Sequence, residues 1–333
     1  MKLTRVVIAA LGLAAAAYLV FAEGAGAVFG ALSIAGWGGL GTITLFHVIP
    51  TLLCGIAWWL LLRTRAAEGW FAFSWLRWIR DGIDGVLPIL PVSGELVGTR
   101  LLSQRGVRLA GASVVVDLTA ELLGQMLFAL IGFALLLAYH PGVPFKLWIT
   151  LGILVMMIEF VGFLIAQKKG LFRLIERPLD WLRGRRPPAE TDAERSLHAG
   201  ILFLYEDMPA FAGCIALHFV AWIVGAFEGW LALRFMGQAW SLTDVLAIEG
   251  LVYAVRSVAF FVPLGAGVQE GGYVLIGALI GLPPDLALAV SLMKRGRDIV
   301  IGTPALVFWQ LLEAYRLRHG GRPNLPAGAA DPT

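Results

Sequence analysis

Apolar residues run along this chain in long blocks with few polar interruptions, and the blocks are long enough to be read against membrane thickness. A helix needs ~20 apolar residues to cross the hydrocarbon layer. Blocks of about that size fall at 6–22, 42–62, 109–139, 147–166, 209–233, 243–262 and 284–312. Two shorter apolar segments, 85–102 and 264–281, are broken by Pro and Gly and read as re-entrant or broken helices. Two polar stretches carry a helical stripe. In 70–84, Ser74, Arg77, Arg80, Asp81 and Asp84 share one face opposite Phe71, Trp75, Trp78 and Ile79. In 170–183, Arg173, Glu176, Arg177, Asp180 and Arg183 oppose Leu171, Phe172, Ile175 and Leu179. Both predict helices lying in the headgroup plane or docked on protein.

Composition sharpens the class. Hydrophobic residues make up 59% of the 333 positions and charged residues 15%, against roughly 45–50% and about 25% in soluble domains. The fold class is therefore all-α: a polytopic membrane protein of about seven or eight spans with two broken segments. The 40 glycines and 12 tryptophans fit membrane helices and their interfaces. Cys54 and Cys214 both sit in apolar runs and make neither a disulfide framework nor a zinc site, and no cofactor is expected. No basic stretch is suited to nucleic acid. The longest polar region, about 30 residues, is below the ~40 usually needed to fold alone, so chemistry belongs within or at the bilayer.

Charge sets the orientation. The loop after residue 167 holds eight basic residues between Lys168 and Arg195, whereas 23–41 holds none; basic loops stay in the cytoplasm. The basic start, Met1 to Arg5, with the apolar run behind it, reads as a retained first span with a cytoplasmic N-terminus. Seven crossings would put Arg316, Arg318 and Arg322 outside; counting 264–281 as an eighth returns them inside. Both counts stay open. The expected organisation is one transmembrane domain, 1–320, with halves at about 1–167 and 198–320, a cytoplasmic loop at 168–197 and a disordered tail at 321–333.

Ionisable groups inside spans are expensive, about 2.5–3.5 kcal/mol even on a lenient scale, and mark candidate sites. Asp117 and Glu121 lie four apart on one helix face. Asp117 is nine residues past Arg108, ~13 Å along a helix. The nearest cations in sequence are Arg100, Arg105 and Arg108, beside the broken segment with Pro91, Gly94 and Glu95. The later cluster comprises Arg256, the break at Pro263, Gly265 and Gly267, then Glu270, and finally Lys294, Arg295, Arg297 and Asp298. Gly296, Gly302 and Pro304 predict an interrupted last helix. Glu159, Glu228 and Glu249 read as paired or snorkelling acids, and His47 and His218 as packed helix residues. The segments echo one another: Pro91-x-x-Gly94-Glu95 and Pro263-x-x-x-Gly267-x-x-Glu270, each followed by a charged apolar helix. Such weak self-similarity points to a transporter built from repeats.

At these motifs, Leu90-Pro-Val-Ser-Gly-Glu95 with Arg100, and Val262-Pro-Leu-Gly-Ala-Gly267-Val-Gln-Glu270, the chain resembles the flippase-like transmembrane domain of lysylphosphatidylglycerol synthases. The similarity covers roughly 5–315. The stretches Gly94 to Leu102 and Ala112 to Glu121 resemble its hopanoid-biosynthesis-associated branch, HpnL. The resemblance implies a lipid flippase or carrier of a bacterial inner membrane, with a hopanoid or hopanoid-linked lipid as partner and Glu95, Arg100, Glu270 and Arg295 at recurrent charged positions. The aminoacyl-transferase domain is absent, and the expectation is a protein that is not an enzyme. A lipid-modifying enzyme, or a partner of one, is the alternative, with Asp117 and Glu121 as its acid–base pair. No nucleotide-binding loop occurs.

Overall fold

Every described segment of the expected apolar blocks is helical. The computed structural model describes Tyr18 and residues 25–86, 93–142, 146–168, 192–259, 262 and 265–318. Among them the regular structure is entirely helix, in eleven elements. They are α1 (Ala25–Phe46), α2 (Val48–Leu62), α3 (Trp70–Val86), α4 (Ser93–Ser103), α5 (Ala110–Tyr139), α6 (Lys146–Lys168), α7 (Asp192–Glu206), α8 (Met208–Phe235), α9 (Leu242–Val258), α10 (Val268–Ile280) and α11 (Pro284–Arg318). Among the described residues, three stretches are long and apolar enough to cross a membrane: Gly26–Leu62, Ala110–Tyr139 and Met208–Phe235.

Several boundaries depart from the sequence reading. The segment 23–41, expected as a loop, is helical from Ala25, with a bend at Gly36 (φ 57°, ψ −166°). Among the glycines of α1 only Gly36 leaves the right-handed region. The last helix, expected to be interrupted, runs as a single 35-residue element through Gly296, Gly302 and Pro304. The amphipathic α7 was not anticipated. The first block at 6–22 apart from Tyr18, the stripe at 170–183, the tail at 321–333, and the breaks at Pro91 and Pro263 lie outside the described residues.

Burial divides the apolar side chains into two cores. One gathers Val28, Ile43, Ala129, Leu136, Ala232, Leu233, Ile248, Leu251 and the run Leu286 to Val290 with Met293. The other gathers Trp58, Leu61, Phe73, Leu76, Ile79, Leu102, Val116, Ala120, Ile201 and Phe211, with Leu306, Phe308 and Trp309 packed on it. Four chain segments pass from one core to the other, and each carries its ionisable groups near the crossing. In α1–α2 it is His47, between Ile43 and Ala57; in α5, Asp117 and Glu121, before Ala129. In α8, His218 and Glu228 lie between Phe211 and Ala232; in α11, Lys294 to Asp298 lie between Met293 and Leu306. The charges therefore occupy a seam between two apolar bodies.

Close helix packing holds the seam narrow. α3 packs on α11, α5 on α9 and α2 on α8. A methyl added to Gly82 would come 2.5 Å from Cβ of Ala305, and one on Gly55 2.3 Å from Cα of Ser74, the small-residue contacts typical of membrane helices. Outward faces carry Trp37, Ile34, Ile158 and Leu275 largely in the open, as lipid-facing residues would be.

Candidate functional site

Asp117 and Glu121 are held by arginines that sequence distance did not nominate. Arg77 and Arg80 project from α3 and are both buried. Arg77 makes a two-pronged pair with Glu121, at 2.6 and 2.9 Å, and bonds Asp81 one turn on at 2.8 Å. Arg80 reaches Asp117 at 2.7 Å, Glu121 at 3.2 Å and Glu95 at 3.4 Å. The other oxygen of Asp117 meets Nε2 of His218 at 2.9 Å and the Cys214 thiol at 3.8 Å. The second oxygen of Glu95 is buried with no donor among the described residues.

The stripe on α3 thus belongs to a helix docked on protein rather than one lying polar-side-out on the membrane, and its arginines point inward. Period and polarity are the same in both cases; only the partner acids decide. Arg100, Arg105 and Arg108, the expected partners, serve elsewhere. Arg100 is mostly exposed, with 58% of its side chain open, and pairs with Glu313; Arg105 lies 3.5 Å from Glu68; Arg108 is exposed. Since an exposed pair contributes about 0–1 kcal/mol, Arg100→Ala should leave the thermal midpoint in detergent almost unchanged.

The N-terminus of α4 is pinned against the end of α3. The Gly94 N–H donates to Asp84 at 2.7 Å, and a Cβ on Gly94 would stand 2.3 Å from the Arg80 carbonyl oxygen. Backbone has no rotamer with which to yield. Gly94→Ala should cost about 1–3 kcal/mol by overpacking, read as a lowered unfolding midpoint with α3 detached from Glu95.

Glu270 organises the second broken segment. One of its oxygens accepts from the Gly267 N–H at 2.8 Å, and the other accepts from Nε of Arg295 at 2.9 Å. Arg295 also donates to the Gly265 carbonyl at 3.1 Å. Gly265 and Gly267 have φ of 57° and 76°, the left-handed region that side chains resist. Half-buried Arg256 lies beside this turn, 5.7 Å over the Tyr253 ring.

Deeper in α11, Lys294 is bonded to Glu249 at 2.6 Å, and Glu249 also accepts from Tyr273 at 2.7 Å. Glu249 is thus a paired acid, as expected. Arg297, named in the later charged cluster, pairs with Glu228 and, at 2.6 Å, with Asp298. His47 joins them: Nδ1 is 2.7 Å from Glu228 and 3.1 Å from Arg297.

Between α2, α3 and α11 lies a partly open recess of about 60 Å³, lined by His47, Thr51, Trp78, Asp81, Gly82, Gly85, Asp298, Ile301 and Gly302. It has room for about four waters. Asp81 links its wall to the Arg77 cluster, and Asp298 links it to the Arg297 cluster. The predicted residues do not share one chamber. Glu95, Asp117 and Glu121 gather around Arg80; Glu270 pairs with Arg295 beside Arg256; Lys294 stands with Glu249. Only Asp298 of the predicted set lines the recess. His47, Asp81 and Glu228 were missed as members; their legible signal was ionisable residues inside apolar or amphipathic blocks that also had complementary charges in other blocks.

Asp117, Cys214 and His218 place one ligand atom each within 4.8 Å of the others. Both arginines bear on the same carboxylate, at 2.7 and 3.5 Å, which makes the set a poor home for a dication.

Paired acids and bases buried between two apolar bodies are costly in a helical membrane protein and mark a candidate site. The chain is a member of the lysylphosphatidylglycerol synthase transmembrane-region family, whose model matches residues 5–305. The family makes it a membrane, lipid-related protein of flippase-like type. No curated protein and no solved structure matches it.

Proposed function

We propose that this protein is a lipid translocase or carrier that moves a polar headgroup across or out of a bacterial inner membrane while the acyl or polycyclic tail stays in lipid. The observation that carries this reading is the seam itself: acids and bases from the α1–α2 junction, α3, α5, α8 and α11 meet between two apolar cores, beside a recess whose mixed wall includes His47, Asp81 and Asp298. A headgroup crossing hydrocarbon alone forfeits several kcal/mol per unsatisfied polar group. A seam of both signs offers replacement partners. The resemblance to the hopanoid-associated branch supports a hopanoid or hopanoid-linked lipid as the candidate cargo. Without a nucleotide-binding loop, the driving force is an ion gradient, a lipid gradient or a partner.

The finer architecture is part of the same proposal: seven or eight crossings, a cytoplasmic N-terminus, and the broken segments 85–102 and 264–281, which hold α4 and α10, as the re-entrant parts of an internal repeat. Two features support it. Glu95 and Glu270 are each the third residue of their short helix. The packing is also reciprocal, with α3 on the long helix α11 and α9 on the long helix α5.

A second reading, a lipid-modifying enzyme or a partner of one, is favoured by one arrangement. Cys214 and His218 stand beside Asp117, as nucleophile, base and orienting acid would. Against it, Cys214, His218 and Asp117 are all wholly buried and the recess does not include them. Asp117 and Glu121, the acid–base candidates, are tied up by arginines.

Purified protein in liposomes separates the readings. Fluorescent lipid changing leaflet without chemical change supports a carrier, whereas a new lipid species supports an enzyme. Arg295→Gln should abolish movement while the protein remains inserted, and normal movement in that variant would count against the proposal.

A further inference from the structure

Nδ1 of His47 stands between two partners with opposite demands. A guanidinium has donors and no lone pair to offer, so the 3.1 Å contact with Arg297 is a hydrogen bond only when Nδ1 is a bare acceptor. An ionised carboxylate only accepts, so the 2.7 Å contact with Glu228 is a hydrogen bond only when Nδ1 carries a proton. No single protonation state satisfies both. The arrangement is a choice between two states, held at one atom where α2, α8 and α11 meet.

The ring is also reachable. A quarter of the His47 side chain is exposed (25%), while Glu228 is at 0%, and His47 lines the recess. Water can meet the imidazole without opening either apolar core. The charged groups facing it are Glu228 from α8, Asp81 from α3, and Arg297, Asp298 and the more distant Lys294 from α11. Asp298 already takes the other arm of Arg297 at 2.6 Å, so a displaced guanidinium has an acid to keep.

We propose that His47 is the proton-binding site of this protein, supplying the coupling ion for the carrier described above. With the imidazole neutral and its hydrogen on Nε2, Nδ1 accepts from Arg297. A hydronium in the recess gives up a proton, one N–H bond forms at Nδ1, and a water stays behind. The imidazolium then donates to Glu228 and repels Arg297, which keeps Asp298. Protonation therefore exchanges a bond between α2 and α11 for one between α2 and α8. The use of the proton rests on the carrier reading; its binding does not.

The test has two arms. In the first, the full-length protein is labelled with ¹⁵N at its imidazoles, and the His47 signals are assigned by their loss in His47→Gln. As the pH is lowered from about 8 through and below the range where free imidazoles change state, the His47 ring should pass from the Nε2–H tautomer to the imidazolium. Glu228→Gln should lower the imidazolium fraction at a given pH, and Arg297→Gln should raise it. If His47→Gln does not fold, these opposite movements identify the signal. A ring that keeps one form throughout in all folded proteins overturns the inference.

In the second arm, headgroup-labelled fluorescent phosphatidylglycerol is followed in vesicles of phosphatidylglycerol and phosphatidylethanolamine. A gradient of about one pH unit, about tenfold in protons, should speed movement severalfold in the wild type. The ratio of rates with and without the gradient should fall to about one in His47→Gln. Wild-type movement that ignores the gradient overturns the coupling and leaves the carrier standing. No movement by any variant sinks the carrier reading, and the imidazole titration then decides the proton site alone.

Discussion

Arg80→Leu should be the most damaging single substitution in the chain. The residue is 1% exposed, and its guanidinium is shared among Asp117, Glu121 and Glu95. Taking it away leaves carboxylates inside an apolar body with too few cations, and breaking a buried pair costs about 3–5 kcal/mol. That is a large share of the 5–15 kcal/mol by which domains are commonly stable. The expected result is a sharp fall in the unfolding midpoint in detergent, with poor recovery of monodisperse protein. Adding Asp117→Asn should restore part of the loss, because it removes the charge left without a partner. A midpoint within experimental error of the wild type would mean that the Arg80 cluster is solvated in the membrane and that the seam is far wetter than its geometry implies.

Lys294→Met should behave similarly, with a more informative rescue. Lys294 and Glu249 are 2.6 Å apart, with side chains 4% and 1% exposed, and Tyr273 completes the acid's bonding. Loss of the ammonium should cost about 3–5 kcal/mol. Replacing both partners by apolar residues of similar size is often neutral or stabilising. Glu249→Leu with Lys294→Met should therefore be clearly more stable than Lys294→Met alone, a coupling that a double-mutant cycle on unfolding midpoints reads directly. If the double variant regains stability but moves no lipid, the pair is retained for function rather than for folding.

The helical blocks were legible because membrane spans announce themselves by length and hydropathy. The second broken segment was legible from Gly265 and Gly267, whose backbone signs only glycine adopts freely. The partners of the buried charges were not. Sequence distance nominated Arg100 for the acids of α5, but a helix turns its side chains by about 100° per residue, and at Arg100 that rotation points outward to Glu313. The stripe on α3 looked the same whether its polar side met headgroups or carboxylates, since periodicity records that a helix has two faces and not what lies against each. His47 read as a packing residue because its partners, Glu228 and Arg297, are 181 and 250 positions away. The continuity of α11 was misjudged for a different reason: Gly and Pro lower helix propensity in water, yet in lipid an unbonded backbone is costlier than a strained helix.

Pro304 has a mechanical meaning within that long helix. Its ring nitrogen has no hydrogen to give the carbonyl of Val300, one turn back, and Val300 is itself 46% exposed on the outward side. The rod formed by α11 therefore has a built-in joint, just past the Ile301 and Gly302 wall of the recess. Below the joint the rod is anchored with Met293 and above it with Leu306 and Trp309, so a small tilt there would swing one apolar body against the other with the polar crevice as its fulcrum.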